Sequence, residues 1–119
     1  MTYNATTSGS WIPDRGRITD VPGISVGHYT DLEHATGCTA VLVDKPAVGG
    51  VDIRGAATAS RETQLLHPLA TREHIHGVML AGGSVFGLDA AAGVVRFLEE
   101  KGRGLKIGRA VIPIVPAAN

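Results

Sequence analysis

Between His74 and Gly102 the chain reads HIHGVMLAGGSVFGLDAAAGVVRFLEEKG. No other stretch of the 119 residues limits the fold so tightly. Ile75 to Ala81 is apolar on both faces beyond His76, which predicts a strand inside a sheet rather than at its rim. Past the glycines, Leu88, Ala91, Ala92, Val95 and Leu98 follow helical spacing and predict one apolar face. Ser84 fits an N-cap and Gly102 a C-terminal stop. Asp89 near the start, and Lys101 and Arg103 at the end, suit the helix dipole. A strand that turns sharply into a helix predicts an α/β domain.

The remaining segments predict a sheet around that unit. Pro22-Gly23 marks a turn before an alternating strand, Ile24 to His28. Cys38 to Asp44 is rich in aliphatic and β-branched residues and predicts a second strand, stopped by Pro46. Val51 to Arg54 lies between glycines and predicts a short strand. LKIGRAVIPIVPAA is extended and broken by Pro113 and Pro116, which predicts an edge or irregular strand. Residues 1–16 are rich in Ser, Thr and Asn and predict a flexible leader, with Trp11 and Ile12 available to dock. The apolar VIPIVPAA directly before Asn119 suggests a truncated chain or an end covered by a partner.

Composition narrows the function classes. Length suffices for one small domain. Eleven basic and eleven acidic residues leave no net charge. That balance argues against nucleic acid or an anionic membrane surface as partner. No apolar run approaches the ~20 residues of a membrane helix, and no signal-peptide core is visible. A single cysteine, Cys38, excludes an internal disulfide and favours a reducing, cytoplasmic setting. Its place at the start of a strand predicts a buried structural thiol rather than a nucleophile. Asn4-Ala5-Thr6 matches a glycosylation sequon, a pattern frequent by chance.

The glycine turn fails three templates. Gly82 and Gly87 have P-loop spacing, but Leu88-Asp89 stand where Lys-Ser/Thr is required. Glycines at 82, 83 and 87 do not fit the dinucleotide fingerprint. Phe86 ends what would otherwise be a nucleophile elbow around Ser84. A strand–Gly-Gly-Ser–helix junction can still offer backbone N–H groups to a carboxylate or oxyanion. The plainer alternative is that Ser84 caps the helix and the glycines only permit close packing. His74 and His76 fall on one strand face as a possible metal pair, but no third ligand has a telling spacing, so no metal is expected. His28, His34 and His67 sit in turn-like contexts. Arg54, Arg61 and Glu62 could bind a carboxylate or anchor their loop through ion pairs. No catalytic triad can be assembled with any specificity.

Five ordered blocks carry a resemblance: ITDVPGISVGHYTD, TGCTAVLV, GVDIRGAATASRETQLL, LAGGSVFGLDAAAGVVRFLEEKG and IPIVPAA. Together they resemble the N-terminal part of the self-cleaving aminopeptidases typified by the L-aminopeptidase D-esterase/amidase. β-Peptidyl aminopeptidases and nylon-oligomer hydrolase are relatives of that family. The resemblance implies that residues 17–119 are the N-terminal portion of a four-layer αββα hydrolase domain, similar to N-terminal-nucleophile hydrolases. It implies cleavage of an amide bond beside a free amino group, through an acyl-enzyme on a Ser or Thr freed by self-cleavage. The freed α-amino group, with a pKa near ~8, is suited to be the general base. No cofactor is implied.

In the family that nucleophile lies downstream, so no catalytic residue is expected in this chain and it alone is expected to be inactive. The pattern places Gly82, Gly83, Ser84 and Phe86 near the substrate. Some relatives have Tyr at the Phe86 position, and its hydroxyl is missing here. The implied partners are a peptide or small amide substrate, the remainder of the α chain, the β chain and further copies in a homo-oligomer. Two other readings stand beside this one: a catalytically inactive truncated paralogue with a binding or assembly role, and an unrelated α/β domain that binds a small anion at its glycine turn.

Overall fold

The computed structural model of the protein describes residues 16–119. The 1–16 leader, with Trp11, Ile12 and the Asn4 sequon, lies outside those residues except for Gly16.

Alternating aliphatic residues build the first hairpin. Strand β1 (Ile24–Asp31) pairs antiparallel with β2 (Thr36–Val48), Ile24 opposite Val43 and Asp31 opposite Thr36. Both strands outrun their predicted ends. The Asp31 carboxylate closes the turn: it accepts the His34 amide at 2.9 Å and lies 3.0 Å from that residue's ring Nδ1. Pro46 does not stop β2. The register against β4 (His74–Ala81) shifts between Leu42, opposite Gly77, and Ala47, opposite Ile75. Pro46 falls within this bulge, where the ladder asks for no N–H. Arg103 fills the gap. Its guanidinium donates to the Val43 carbonyl and lies 3.6 Å from the Asp44 carboxylate.

The main sheet has the order β1-β2-β4-β7-β3, so β4 is central, as its two-sided apolar pattern predicts. Strand β3 is Ser60–Arg61 and β7 is Ala117–Ala118. The β4–β7 pair is parallel and the other pairs are antiparallel. Of the two expectations for this segment, the irregular one holds at residues 113–116, which form no strand, and the edge one is corrected, since β7 lies between β4 and β3. Proline is tolerated there because the approach to β7 uses carbonyls: Ile114 accepts from the His76 amide and Pro116 from the Met79 amide, both at 2.9 Å. The predicted strand Val51–Arg54 is not formed. Those residues are exposed and irregular, and no neighbouring strand satisfies their backbone. Strands β5 (Leu105–Ile107) and β6 (Ala110–Ile112) make a separate two-stranded hairpin.

The helix begins later than its sequence pattern. Ser84–Asp89 is a 3₁₀ turn, and the α-helix α1 covers Ala90–Glu100. Its end is as predicted. Gly102 has φ +67°, its amide reaches Glu99 at 2.8 Å, and the Arg103 amide reaches Leu98 at 2.9 Å. These are the paired bonds of a Schellman stop. Ala91, Val94 and Leu98 are buried, while Ala92 is exposed, so the predicted face is rotated. With about 100° per residue, Val94 and Leu98 flank one side of Ala91, and Ala92 lies a quarter-turn away on the other.

Residues opposite each other in a ladder point to the same side of the sheet. One side carries Cys38, Ala40, Leu42, Met79 and Ala117, and α1 covers it with Ala91, Val94 and Leu98, joined by Val115. The other side carries Ile24, Val26, Val41, Val43, Val78 and Leu80, none of them buried. The architecture is therefore mixed α/β, with one α-helix among the described residues.

Candidate active-site turn

At the C-terminal end of β4 the chain reverses through Gly82, Gly83 and Ser84. The Gly82 amide donates to the Gly37 carbonyl at 2.8 Å, tying the turn to the start of β2. A Cβ at 82 would meet Thr36 Oγ1 at 2.9 Å, so this position has almost no room for a side chain. Gly83 has φ +95° and Ser84 φ +58°. A left-handed serine costs about 1–2 kcal/mol, and a neighbour holds it in place: Asn119 Nδ2 donates to the Ser84 carbonyl at 2.8 Å. A Cβ at Gly87 would overlap the Gly82 carbonyl oxygen. Tight backbone approach therefore accounts for the glycines at 82 and 87, and left-handed geometry for Gly83.

This geometry corrects the predicted cap. Capping requires an extended backbone, and Ser84 is left-handed inside the 3₁₀ turn. Gly83 precedes that turn and Asp89 precedes α1, neither position with a side-chain cap bond. The α-helix starts at Ala90, so its positive end is displaced from the glycines. One backbone donor, Gly82 N–H, is already engaged. Ser84 is exposed, and Phe86, 82% exposed, stands out from the surface.

A hollow of about 440 Å³ opens beside the turn, walled by Gly82, Cys38, His28, Thr39 and Asn119 among others. Of the four expected pocket residues it takes in Gly82. Gly83, Ser84 and Phe86 lie exposed outside it. Cys38 is half-buried, packed against the core and among the residues that line this hollow, so the thiol expected to be buried is partly exposed. The hollow also contains a pair that the sequence reading missed. His28 Nδ1 lies 2.8 Å from Thr39 Oγ1, on ladder positions opposite each other. His28 closes the predicted strand Ile24–His28, and the signal for this pair is the alternation of the two predicted strands carried across the hairpin.

The other candidates scatter. Arg54 pairs with Asp52 at 2.8 Å within its exposed loop. Arg61 is half-buried in β3, and Glu62 is exposed with φ +55°, at the start of the 3₁₀ turn Thr63–Leu66. His67 Nδ1 accepts the Leu69 amide at 3.1 Å, a local turn contact. His76 is 6% exposed, and its Nδ1 accepts the Ile114 amide at 3.1 Å. Among the described residues no three His, Cys, Asp or Glu side chains converge as metal ligands, and no helix is long and apolar enough to cross a membrane.

Comparison with known proteins agrees with the ordered blocks. The profile of peptidase family S58 matches residues 16–119. An uncharacterized aminopeptidase of Mycobacterium tuberculosis is 48% identical, over 85% of this chain and 32% of its own length. An uncharacterized aminopeptidase of Mycobacterium leprae is 47% identical, over 85% of this chain and 30% of its own. The 6-aminohexanoate-oligomer endohydrolase of a Kocuria species is 35% identical, over 69% of this chain and 21% of its own. The chain thus spans about a third or less of the curated relatives it matches. With its glycine turn inside a family match that runs through every described element, this chain belongs to peptidase family S58.

Proposed function

We propose that this chain is the N-terminal part of the α chain of a self-processing aminopeptidase or amidase. The whole protein hydrolyses amide bonds next to a free amino group through a Ser or Thr acyl-enzyme, and the nucleophile comes from sequence outside these residues. The names of the relatives support the reaction class: two are uncharacterized aminopeptidases and one is a 6-aminohexanoate-oligomer endohydrolase.

The observation that carries the proposal is the unequal sheet. Helix α1 covers one side, while six aliphatic residues of β1, β2 and β4 on the other side meet no second layer among the described residues. An apolar sheet face without a cover is what half of an αββα sandwich offers to a second sheet. In that arrangement the Gly82-Gly83-Ser84 turn and Phe86 form one wall of the substrate pocket, and the His28–Thr39 hollow lies beside it. Further α and β chain sequence completes the site, and copies of the pair assemble as an oligomer. No cofactor takes part.

The test begins with the 119-residue chain and aminoacyl p-nitroanilides, for which no turnover is expected. Hydrolysis that disappears in Ser84→Ala would place the nucleophile in this chain and overturn the proposal. A longer product of the same reading frame is expected to cut itself before a Ser or Thr, seen as two masses, and then to release p-nitroaniline. A longer product that stays intact and inactive would instead favour the inactive paralogue.

A further inference from the structure

At the opposite end of β4 from the glycine turn lies a cleft of about 580 Å³. Arg72, Glu73, His74, His76 and Lys106 supply its polar wall, with Ile114 among its apolar residues. His76 is the informative group. It is more than nine-tenths buried, yet only one of its ring nitrogens has a protein partner.

That partner fixes the tautomer. Nδ1 accepts the Ile114 amide proton, so in the neutral ring the proton sits on Nε2. Burial, followed by the charge of Arg103, lowers the His76 pKa and holds the ring neutral. Among the described residues no protein acceptor meets Nε2, and no fully buried side-chain nitrogen there lacks a partner. Nε2–H is therefore open to the cleft that the ring lines. A protonated Nε2 cannot ligate a metal while Nδ1 keeps the Ile114 bond, so His74 and His76 do not work as a metal pair. Solvent reaches this donor, so it is free to meet an acceptor that enters the cleft.

The charge around it selects which acceptor. Arg72 and Lys106 outnumber Glu73 on the cleft wall, while Arg103 is engaged with Val43 and Asp44. We propose that this cleft binds a small oxyanion, a carboxylate or phosphate group, that accepts the Nε2–H of His76 and pairs with Arg72 and Lys106. Guanidinium and ammonium donors suit either group, and both gain strength in a partly desolvated cleft.

The experiment is a titration of the ¹⁵N-labelled 119-residue chain with acetate and, separately, inorganic phosphate, at ionic strength fixed with chloride. Long-range ¹H–¹⁵N spectra of the imidazoles report the His76 tautomer and its Nε2 shift. We expect an Nε2–H ring and a saturable shift with at least one anion. Saturation by acetate alone identifies a carboxylate site, and by phosphate alone a phosphate site. The double variant Arg72→Gln, Lys106→Gln alters only exposed residues and is expected to bind about tenfold more weakly, the scale of one charged hydrogen-bond partner. An Nδ1–H ring, no saturable shift with either anion, an equal shift with chloride, or unchanged affinity in the double variant would each overturn the proposal.

Discussion

The two sides of the main sheet have similar sequences and unequal cover. Cys38, Ala40, Leu42 and Met79 lie under α1, whereas Thr39, Val41, Val43 and Leu80, on the alternating positions of the same strands, do not. Leu98 of the helix is fully buried, while Leu80 is 49% exposed. Residue type alone does not separate these sides. What separates them is whether a second layer exists within the described residues, and hydrophobic stabilisation follows the area removed from water.

That contrast can be broken most directly at its two leucines. Leu98→Ala leaves a cavity between α1 and the sheet and is expected to cost about 2–5 kcal/mol in denaturant unfolding. If Leu80→Ala in the same chain costs as much, the two sides are equally buried and the contrast fails. Next in size is Gly87→Ala, whose methyl group would overlap the Gly82 carbonyl oxygen. Forced displacement of a packed turn is expected to cost about 1–3 kcal/mol, measured as a lower Tm. An unchanged Tm would show that the turn has room to spare.

Arg103 reaches from the end of α1 into the β2 bulge, so it sharpens the boundary between the sides. Arg103→Met keeps most of the stem and removes the bond to the Val43 carbonyl. An expected loss of about 1 kcal/mol, with faster amide exchange near Val43 and Asp44, tests that link. The open side provides a smaller effect. Leu80→Ser is expected to change stability by less than about 0.5 kcal/mol but to reduce binding of a hydrophobic dye, since the dye needs only exposed apolar area. Undiminished dye binding would locate the exposed patch elsewhere.

The smallest expected effects are those of pH. His76 titrates below its usual 6.5, chiefly because of burial. In the unfolded chain the ring takes up its proton first, so stability present above that pH falls as pH drops through 6.5 toward the folded pKa. Asp31 titrates below its usual 3.8, first through the His34 amide bond and then through the His34 side chain. Its contribution is likewise present above 3.8 and lost as pH falls further. A chain carrying His76→Gln is expected to lose the first of these slopes in equilibrium unfolding and keep the second.

Much of this architecture is legible in local chemistry. The apolar run Ile75–Ala81 identifies a central strand because both of its faces need cover. Gly102 identifies the helix stop because only a left-handed residue completes those two bonds. The missed features depend on distant partners. Pro46 is a strand breaker by local rule, yet a bulge in its own strand, bonded by Arg103 from far along the chain, accommodates it. Ser84 has the composition of a cap, but contacts with Gly37, Gly87 and Asn119 hold the turn in a shape that no capping residue adopts. His28 and Thr39 lie eleven residues apart and meet only because the hairpin register sets them opposite each other.

The sequence by itself determined the family, the α/β class and the strand–turn–helix unit. The family follows from the resemblance of five ordered blocks, and the α/β class and the unit from apolar periodicity and glycine placement, which act over a few neighbours. Only the tertiary structure decided which helix positions are buried, that β7 lies inside the sheet, and which nitrogen of His76 is left to donate. Each depends on the point where separate segments meet, and that meeting is fixed by backbone hydrogen bonding and packing between residues distant along the chain.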